Sequence, residues 1–157
     1  MTDVTYFPSD MGYSVSSGNI YATYRRVRYP ERCRKYHISS NIPSAPVIAE
    51  TVLPYLREQQ VGHKVVRNQS FLVRQTMGKQ AGKFITIYMN SGVDQMNPVI
   101  STIRDMLVDL RTRHPIGPCP WLPRYRPLKH IFIEQPLDEH LFIYGGFEAD
   151  TFGKKTS

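Results

Sequence analysis

The sequence contains few cysteines and no long hydrophobic run. Cys33 and Cys119 stand far apart and outside any Cys-x-x-Cys or His/Cys ligand spacing, so we expect free thiols, no disulfide framework and no metal site. No segment approaches the roughly 18 consecutive apolar residues of a membrane-spanning helix. Residues 1–4 lack the basic region that opens a secretory signal, and no apolar region follows them. These absences predict a cytoplasmic protein that does not contact a membrane.

Acidic residues are outnumbered: the chain has 13 Asp and Glu against 20 Lys and Arg, for a net charge of +7. Part of this charge is concentrated in residues 24–36, where five arginines and Lys35 are interleaved with Tyr24, Tyr29 and Tyr36. Such a segment is typical of a nucleic-acid-binding surface. It would equally suit a phosphorylated or acidic peptide, because arginine binds phosphate whatever carries it. A solvated basic surface is the third interpretation that composition leaves open.

The length of 157 residues fits one domain with a buried core. We expect an α+β domain in which two main helices pack on a largely antiparallel sheet. The hydrophobic pattern predicts strands at 21–29, 36–42, 63–67, 83–89, 129–134 and 140–147, and helices at 44–60 and 94–114.

Other segments show no clear periodicity. Residues 1–20 are expected to form a flexible N-terminal arm, 21–150 the folded domain, and 151–157 a flexible tail. Residues 69–77 fit a short helix or a loop equally well. Pro54 should kink or shorten the first helix, and the proline-rich segment 115–127, which carries Trp121, is expected to be an ordered loop.

Three predicted strands carry ionisable side chains inside an apolar frame. Lys35 and His37 are two residues apart on one strand, so both side chains point to the same face. A cation beside an imidazole can hold a phosphate and pass it a proton. On other strands, Lys64 becomes a base if burial and nearby cations lower its pKa, and Tyr88 can donate a hydrogen bond to developing negative charge. From the residues alone, a hydrogen-bonded structural histidine and solvated lysines are the commoner explanation of such a pattern.

Five segments occur in the order found in a known enzyme family: KYHISS at 35–40, VLPYLRE at 52–58, GHKVV at 62–66, AGKFITIY at 81–88 and YGGF at 144–147. Together they resemble the N-terminal lyase domain of class III and IV lanthipeptide synthetases. That domain is similar in turn to the phosphothreonine lyases injected by type III secretion systems. The resemblance covers roughly residues 34–150, and the Gly-Lys-Phe strand and the Tyr-Gly-Gly-Phe end are its most specific parts.

The resemblance implies a phosphoserine/phosphothreonine lyase that eliminates phosphate and leaves a dehydroamino acid, with no metal or organic cofactor. It implies Lys64 as the base, His37 as the acid that protonates the leaving phosphate, and Tyr88 as the family's strand-end tyrosine. Lys35 would hold the phosphate, and the further substrate-binding candidates are Arg34, Arg74, Lys79 and Lys83. The implied partner is a phosphorylated precursor peptide or phosphoprotein, with a separate kinase or cyclase protein.

Two positions depart from the family pattern. Gly78 and Ile143 stand where the family has arginines that clamp the phosphate. Each lost charge-assisted contact is worth roughly 1.5–3 kcal/mol. The alternative is therefore a non-catalytic lyase-fold subunit that binds a precursor peptide or a partner enzyme. A small basic nucleic-acid-binding module is the third hypothesis.

Overall fold

The computed structural model describes residues 3–75, 83–90, 98–113, 135–136, 141–143 and 149–150. Within these ranges lie three helices and eight strands, in the order β1 Tyr13–Ser14, β2 Tyr21–Tyr24, β3 Arg32–Ile38, α1 Ala45–Glu58, β4 Gly62–Val66, α2 Gln69–Gln75, β5 Ile85–Asn90, α3 Pro98–Arg113, β6 Gln135–Pro136, β7 Leu141–Ile143 and β8 Ala149–Asp150. Each pairing between these strands is antiparallel. The predicted α+β class is confirmed, with α2 added to the two main helices.

The strands form one sheet in the order β1-β2-β4-β5-β3-β7-β6, and β8 also pairs with β3. At the centre, β3 pairs with β5 from Cys33 opposite Asn90 to Ile38 opposite Ile85. On its other edge β5 pairs with β4, where Lys64 lies opposite Thr86. The three strands that carry ionisable residues in the sequence are therefore adjacent in the sheet.

One face of these central strands is apolar and forms the core with the helices. Because side chains alternate along a strand, Tyr36, Ile87 and Val65 share this face, and all three are fully buried. They belong to one cluster with apolar residues of α1 and α3, among them Ile48, Leu53, Ile103 and Leu107. The opposite face of the same strands is left for the polar residues described below.

Pro54 lies inside α1 without ending it. The helix continues to Glu58, so of the two expected effects, a kink or a shorter helix, the structure excludes the shorter helix. Pro54 has no N–H to donate to the carbonyl oxygen of Glu50, four residues earlier, and both residues are exposed to solvent. At the start of the helix, Ser44 is the N-cap, although its side chain makes no capping hydrogen bond.

The N-terminal segment is packed against the sheet, which differs from the loosely held arm expected over residues 1–20. Tyr6 is buried, and its ring meets Phe84 edge-on with 5.1 Å between centroids. Thr5 forms a bridge with Asn68, and β1 adds an edge strand to β2. Hydrophobic periodicity could not predict these contacts, because single buried aromatic residues form no repeating pattern.

Several element boundaries differ from the predictions. The first predicted strand is shorter and ends at Tyr24, and β3 begins at Arg32 rather than at residue 36. Residues 69–77, which fitted a helix or a loop, contain α2. Cys33 is buried and forms no disulfide in the described part of the chain, as predicted. The predictions for Cys119, the strand at 129–134, the loop with Trp121 and the tail at 151–157 lie outside the described residues.

Candidate active site

The polar face of the sheet carries a row of residues from neighbouring strands. Lys64 of β4 is opposite Thr86 of β5, and Thr86 is opposite His37 of β3. On the other side of Lys64 the row continues to Thr23 of β2. Because neighbouring strands are about 4.8 Å apart, the Cα atoms of Lys64 and His37 are separated by roughly 10 Å. The register thus places the predicted base and the predicted acid on one face, with a threonine between them.

A second row lies two residues further along the strands. Lys35 of β3 is opposite Tyr88 of β5, and its ammonium nitrogen lies 5.8 Å from the centroid of the Tyr88 ring. The Lys64 ammonium lies 6.0 Å from the same centroid. Two lysines from different strands therefore approach one buried tyrosine. Burial raises the pKa of Tyr88, so its hydroxyl keeps its proton at neutral pH and can donate it in a hydrogen bond.

Lys64 has the electrostatic environment of a lysine that can act as a base. Burial, and next the positive charges of Lys35 and Lys83, lower its pKa to about 8. Each of these causes disfavours the ammonium form. At neutral pH a substantial minority of the molecules, on the order of a tenth, therefore carry the neutral amine at Lys64.

His37 is 3% exposed and lies among the same cations. Its Nδ1 lies 3.1 Å from the hydroxyl oxygen of Thr86, at hydrogen-bonding distance. Burial lowers the pKa of His37 well below its ordinary value, and the charges of Lys83, Lys64 and Lys35 act in the same direction. His37 is therefore a neutral imidazole at neutral pH while the site holds no anion.

The start of β5 is held by two residues that the sequence did not single out. The carbonyl oxygen of Lys83 accepts hydrogen bonds from the Tyr21 hydroxyl at 3.0 Å and from the Gln75 amide at 2.8 Å. The Gln75 amide also donates to the Tyr21 hydroxyl, at 2.9 Å. The ring of Tyr21 lies beneath the Lys64 ammonium, 4.2 Å from nitrogen to centroid. Strand alternation on β2 is the signal that places Tyr21 on the polar face, whereas nothing in the sequence marks Gln75.

Gly62 permits the packing on the other side of Tyr88. The Tyr29 ring meets the Tyr88 ring edge-on, with centroids 5.5 Å apart. A Cβ atom at Gly62 would collide with the ring of Tyr29. The Tyr29 hydroxyl also donates to the carbonyl oxygen of Tyr24 at 2.6 Å, which fixes the ring in place. The glycine therefore supports the aromatic wall behind Tyr88.

Of the predicted phosphate-binding residues, Lys35 and Lys83 join the cluster with Lys64 and His37, and two others do not. Arg34 is adjacent to Lys35 on β3 and so lies on the opposite face of the sheet. Arg74 is on the exposed side of α2, and its guanidinium lies 4.9 Å from the centroid of the Phe71 ring. Lys79 lies outside the described residues. Among the described residues, the charged groups that act on His37 are thus lysines.

The positions where the family has arginines are described only in part. Ile143 belongs to β7 and is paired with Tyr36 of β3, next to the pair formed by His37 and Phe142. Gly78 lies outside the described residues. In the described part of the chain, no group of three or more His, Cys, Asp or Glu residues is placed to bind a metal ion. No described helix is long and apolar enough to span a bilayer.

Comparison with known proteins defines the class. Twelve solved chains match this one, and among them is the type III effector and phosphothreonine lyase OspF from Shigella flexneri. The match has a TM-score of 0.54 at 15% sequence identity and covers 86% of this chain and 70% of OspF. At that identity the comparison establishes the fold alone: the chain has the fold of a phosphothreonine lyase.

The family is shown by sequence. Residues 5–113, more than half of the chain, match the family model described as the RamC N-terminal domain. The chain belongs to the RamC N-terminal domain family. Among proteins with curated functions, none matches this chain.

Proposed function

We propose that this protein is a phosphoserine/phosphothreonine lyase, which eliminates phosphate from a phosphorylated peptide or protein. The observation that carries the proposal is the row in which Lys64, with a lowered pKa, and His37 stand on one face with further lysines beside them. The lyase fold and the family membership agree with it.

Three lysines make the polar face a site for an anion. The ammonium groups of Lys35 and Lys83 hold the phosphate of the substrate, and their charge neutralises the oxygens on which negative charge grows as the phosphate leaves. A lysine is a compact point charge rather than a planar fork, so it binds phosphate with less geometric selection than arginine does. The same two charges keep Lys64 from holding its proton tightly.

In the elimination, the neutral amine of Lys64 takes the proton from the Cα atom of the phosphorylated residue. The electron pair of that C–H bond forms the Cα–Cβ double bond, and the bond between Cβ and the phosphate oxygen breaks. Lys64 becomes an ammonium group, and the product is a dehydroamino acid with inorganic phosphate. Tyr88 lies close to both Lys35 and Lys64, where its hydroxyl stabilises developing negative charge.

His37 supplies the proton that the leaving phosphate takes up. In the free site His37 is neutral, so it has to be protonated when the substrate binds. The two negative charges of a bound phosphate oppose the lysine charges and favour the imidazolium form of His37. Thr86, at hydrogen-bonding distance from Nδ1, orients the ring of His37. Proton uptake on binding and proton transfer to phosphate are then two steps of one cycle.

The biological setting we propose is modified-peptide biosynthesis of the lanthipeptide kind. The family of the RamC N-terminal domain supports this setting more closely than the effector lyase does, because it is the sequence match. The substrate would be a precursor peptide phosphorylated by a separate kinase, and a cyclase would use the dehydroamino acid.

Intact-mass analysis tests the proposal. A peptide that carries phosphoserine or phosphothreonine is incubated with the protein, and the loss of phosphoric acid, about 98 Da, is followed over time. We expect loss with the wild type and none with Lys64→Ala. His37→Gln should lower the rate by 10²- to 10⁴-fold, the usual contribution of a general acid. His63→Gln is the matched control, because His63 is a buried histidine on β4, which β5 separates from β3, and its side chain lies on the opposite face.

If the wild type causes no mass loss, even with the kinase and cyclase present, the proposal that this protein is a lyase is wrong. The second function, a non-catalytic subunit that binds a precursor peptide, would then apply. The placement of Arg34 and Arg74 away from the lysine cluster favours this alternative, since the described site lacks a bidentate phosphate clamp. Nucleic-acid binding is disfavoured because Tyr24 and Tyr36 of the basic segment are buried and offer no stacking surface.

A further inference from the structure

A cavity of about 560 Å³ opens beside the Lys64 side chain. Its wall is the connection between β1 and β2, residues 16–20, together with Tyr21 and Lys64. Residues 16–19 are exposed, and Lys64 is the charged residue of the lining. The cavity therefore leads from solvent to the proposed base, along a wall of small and polar side chains.

The connection is held in a defined conformation. The Asn19 N–H donates to the Ser16 carbonyl oxygen at 3.1 Å, which closes a four-residue turn, and Gly18 has the positive φ of 79° that such a turn requires at its third position. The Asn19 side-chain oxygen accepts from the Tyr21 N–H at 2.9 Å. The guanidinium of Arg67 donates to the Asn19 carbonyl oxygen at 3.3 Å. These bonds tie the turn to β2 and to the residue that follows β4.

We propose that the 16–20 connection binds the peptide chain that flanks the phosphorylated residue of the substrate. The inference rests on the proposed function for the identity of the reacting residue. The shape of the cavity supports it, since its volume of about 560 Å³ is well beyond one phosphate group and it is widely open to solvent, as a surface crossed by an extended chain has to be. The small side chains leave the backbone of the connection open to hydrogen bonds with a passing chain.

The same lining predicts how selective this surface is. It lacks a deep apolar pocket or a carboxylate, so it recognises chain length more than a particular side chain. The Lys64 ammonium disfavours a lysine or arginine in the flanking position, because like charges repel. The partner that fits is thus an extended segment with small, polar or acidic residues beside the phosphorylated one.

Peptide binding without turnover tests the surface independently of elimination. Two fluorescent peptides share one central residue, a non-eliminable phosphonate analogue of phosphoserine. One is a nine-residue peptide with small polar flanks, and the other is the capped single residue. Anisotropy titrations give both dissociation constants for the wild type, for Ser17→Trp and for Ser9→Trp. Ser17 is at the centre of the turn in the cavity wall, whereas Ser9 is an exposed serine of the N-terminal segment outside that wall.

We expect the wild type to bind the long peptide at least tenfold more tightly than the single residue. Ser17→Trp should reduce this ratio to near one, because the indole occupies the path of the chain, and Ser9→Trp should keep the wild-type ratio. Equal binding of both peptides by the wild type overturns the proposal. So does a Ser17→Trp protein that binds the single residue as tightly as the wild type and retains the full ratio. If Ser17→Trp instead binds both ligands more weakly at an unchanged ratio, the substitution has damaged the fold. Ser17→Gln, which adds less bulk, then decides: a lowered ratio supports the proposal and an unchanged ratio overturns it.

The result separates the two proposals. A length-dependent affinity that Ser17→Trp removes, in a protein that eliminates no phosphate, supports the peptide surface and refutes the lyase. Elimination with no length dependence supports the lyase and refutes the surface.

Discussion

The ammonium nitrogen of Lys64 lies 4.2 Å from the centroid of the Tyr21 ring. The ring attracts the charged form, which opposes the lowering of the Lys64 pKa by burial and by Lys35 and Lys83. Tyr21 is itself fixed, because its hydroxyl donates to the Lys83 carbonyl oxygen and accepts from Gln75. The tyrosine thus positions the proposed base and links it to the start of β5.

Removal of the Tyr21 ring should change the pKa of Lys64 more than removal of the hydroxyl does. The ring attracts the ammonium form by about 0.5–2 kcal/mol, so Tyr21→Leu should lower the pKa of Lys64 further and make the neutral amine about 2- to 10-fold more abundant at neutral pH. Tyr21→Phe keeps the ring beneath the ammonium and should keep the wild-type pKa. Steady-state kinetics on one phosphopeptide across the pH range give the comparison, because the fall in kcat/KM at high pH should begin at lower pH in Tyr21→Leu alone. Equal shifts in both variants would assign the effect to the hydroxyl and its hydrogen bonds instead.

The pH dependence of kcat/KM should report the base together with the acid. Lys64 has a pKa of about 8 and acts as the neutral amine, whereas His37, whose pKa is lowered well below its ordinary value, has to take up a proton when the substrate binds. Between these two pKa values kcat/KM should therefore change little, and above pH 8 it should fall about tenfold per pH unit, because Lys64 is already neutral there and His37 still has to gain a proton. Lys35→Gln removes a neighbouring cation that lowers the Lys64 pKa, so the fall should begin at higher pH.

Arg74→Gln is the control, since the Arg74 guanidinium lies 4.9 Å from the centroid of the Phe71 ring and is not among the groups that shift the pKa of Lys64. A profile with no change of slope near pH 8, or equal shifts in both variants, would exclude Lys64 as the base.

Thr86 should matter to catalysis through His37. Thr86→Val keeps the shape of the side chain and removes the hydroxyl that contacts His37 Nδ1 at 3.1 Å. A hydrogen bond of this kind is worth about 0.5–1.5 kcal/mol, so kcat should fall by up to about tenfold. Thr23→Val makes the same change in the same row, on the far side of Lys64. Equal effects of the two substitutions on kcat would show that Thr86 has no particular role in orienting His37.

The part of the site that depends on the alternation of side chains along one strand could be predicted from the sequence. Lys35 and His37 lie two residues apart on β3, and that spacing alone places both on one face. The resemblance to the lyase domain added Lys64 and Tyr88 from other strands, and the register brings all four together. The same alternation places Arg34, which is next to Lys35 on the strand, on the opposite face of the sheet.

Contacts that depend on distant parts of the chain could not be predicted in this way. Gln75 reaches the Lys83 carbonyl only because α2 packs beside β4, and no periodicity encodes that placement. The order β2-β4-β5-β3 brings Tyr21 next to Lys64, although 43 positions separate them in the sequence. A strand that joins the sheet out of sequence order leaves no local signal of its neighbour.

A second buried histidine, His63, lies on the core face of β4 in a fixed tautomer. Its Nδ1–H donates to the Val61 carbonyl oxygen at 2.7 Å, and Nε2 accepts from the Tyr13 hydroxyl at 2.6 Å. The Tyr13 hydroxyl in turn accepts from the Arg57 guanidinium at 3.2 Å. Protonation of His63 would add a hydrogen where Nε2 now accepts one, close to a cation. Burial first, and then the charge of Arg57, lower the pKa of His63 to about 4.

His63 should therefore make the fold sensitive to acid. In the unfolded chain a histidine has a pKa of about 6.5, so between pH 6.5 and 4 the unfolded state binds more protons than the folded state. The stabilisation is complete above pH 6.5 and is lost as the pH falls through 4, by roughly 3 kcal/mol in the free energy of unfolding. His63→Gln removes this titration, so its free energy of unfolding should fall by about 3 kcal/mol less than that of the wild type over the same range. Urea denaturation at pH 7 and pH 4 measures this difference for the wild type and for His63→Gln.

His37 is also buried, and its pKa is lowered in the same direction, so His37→Gln measured in parallel gives its separate contribution. If the free energy of unfolding falls equally in the wild type and in His63→Gln, the pKa of His63 is not lowered in the folded protein and its hydrogen bonds do not oppose its protonation.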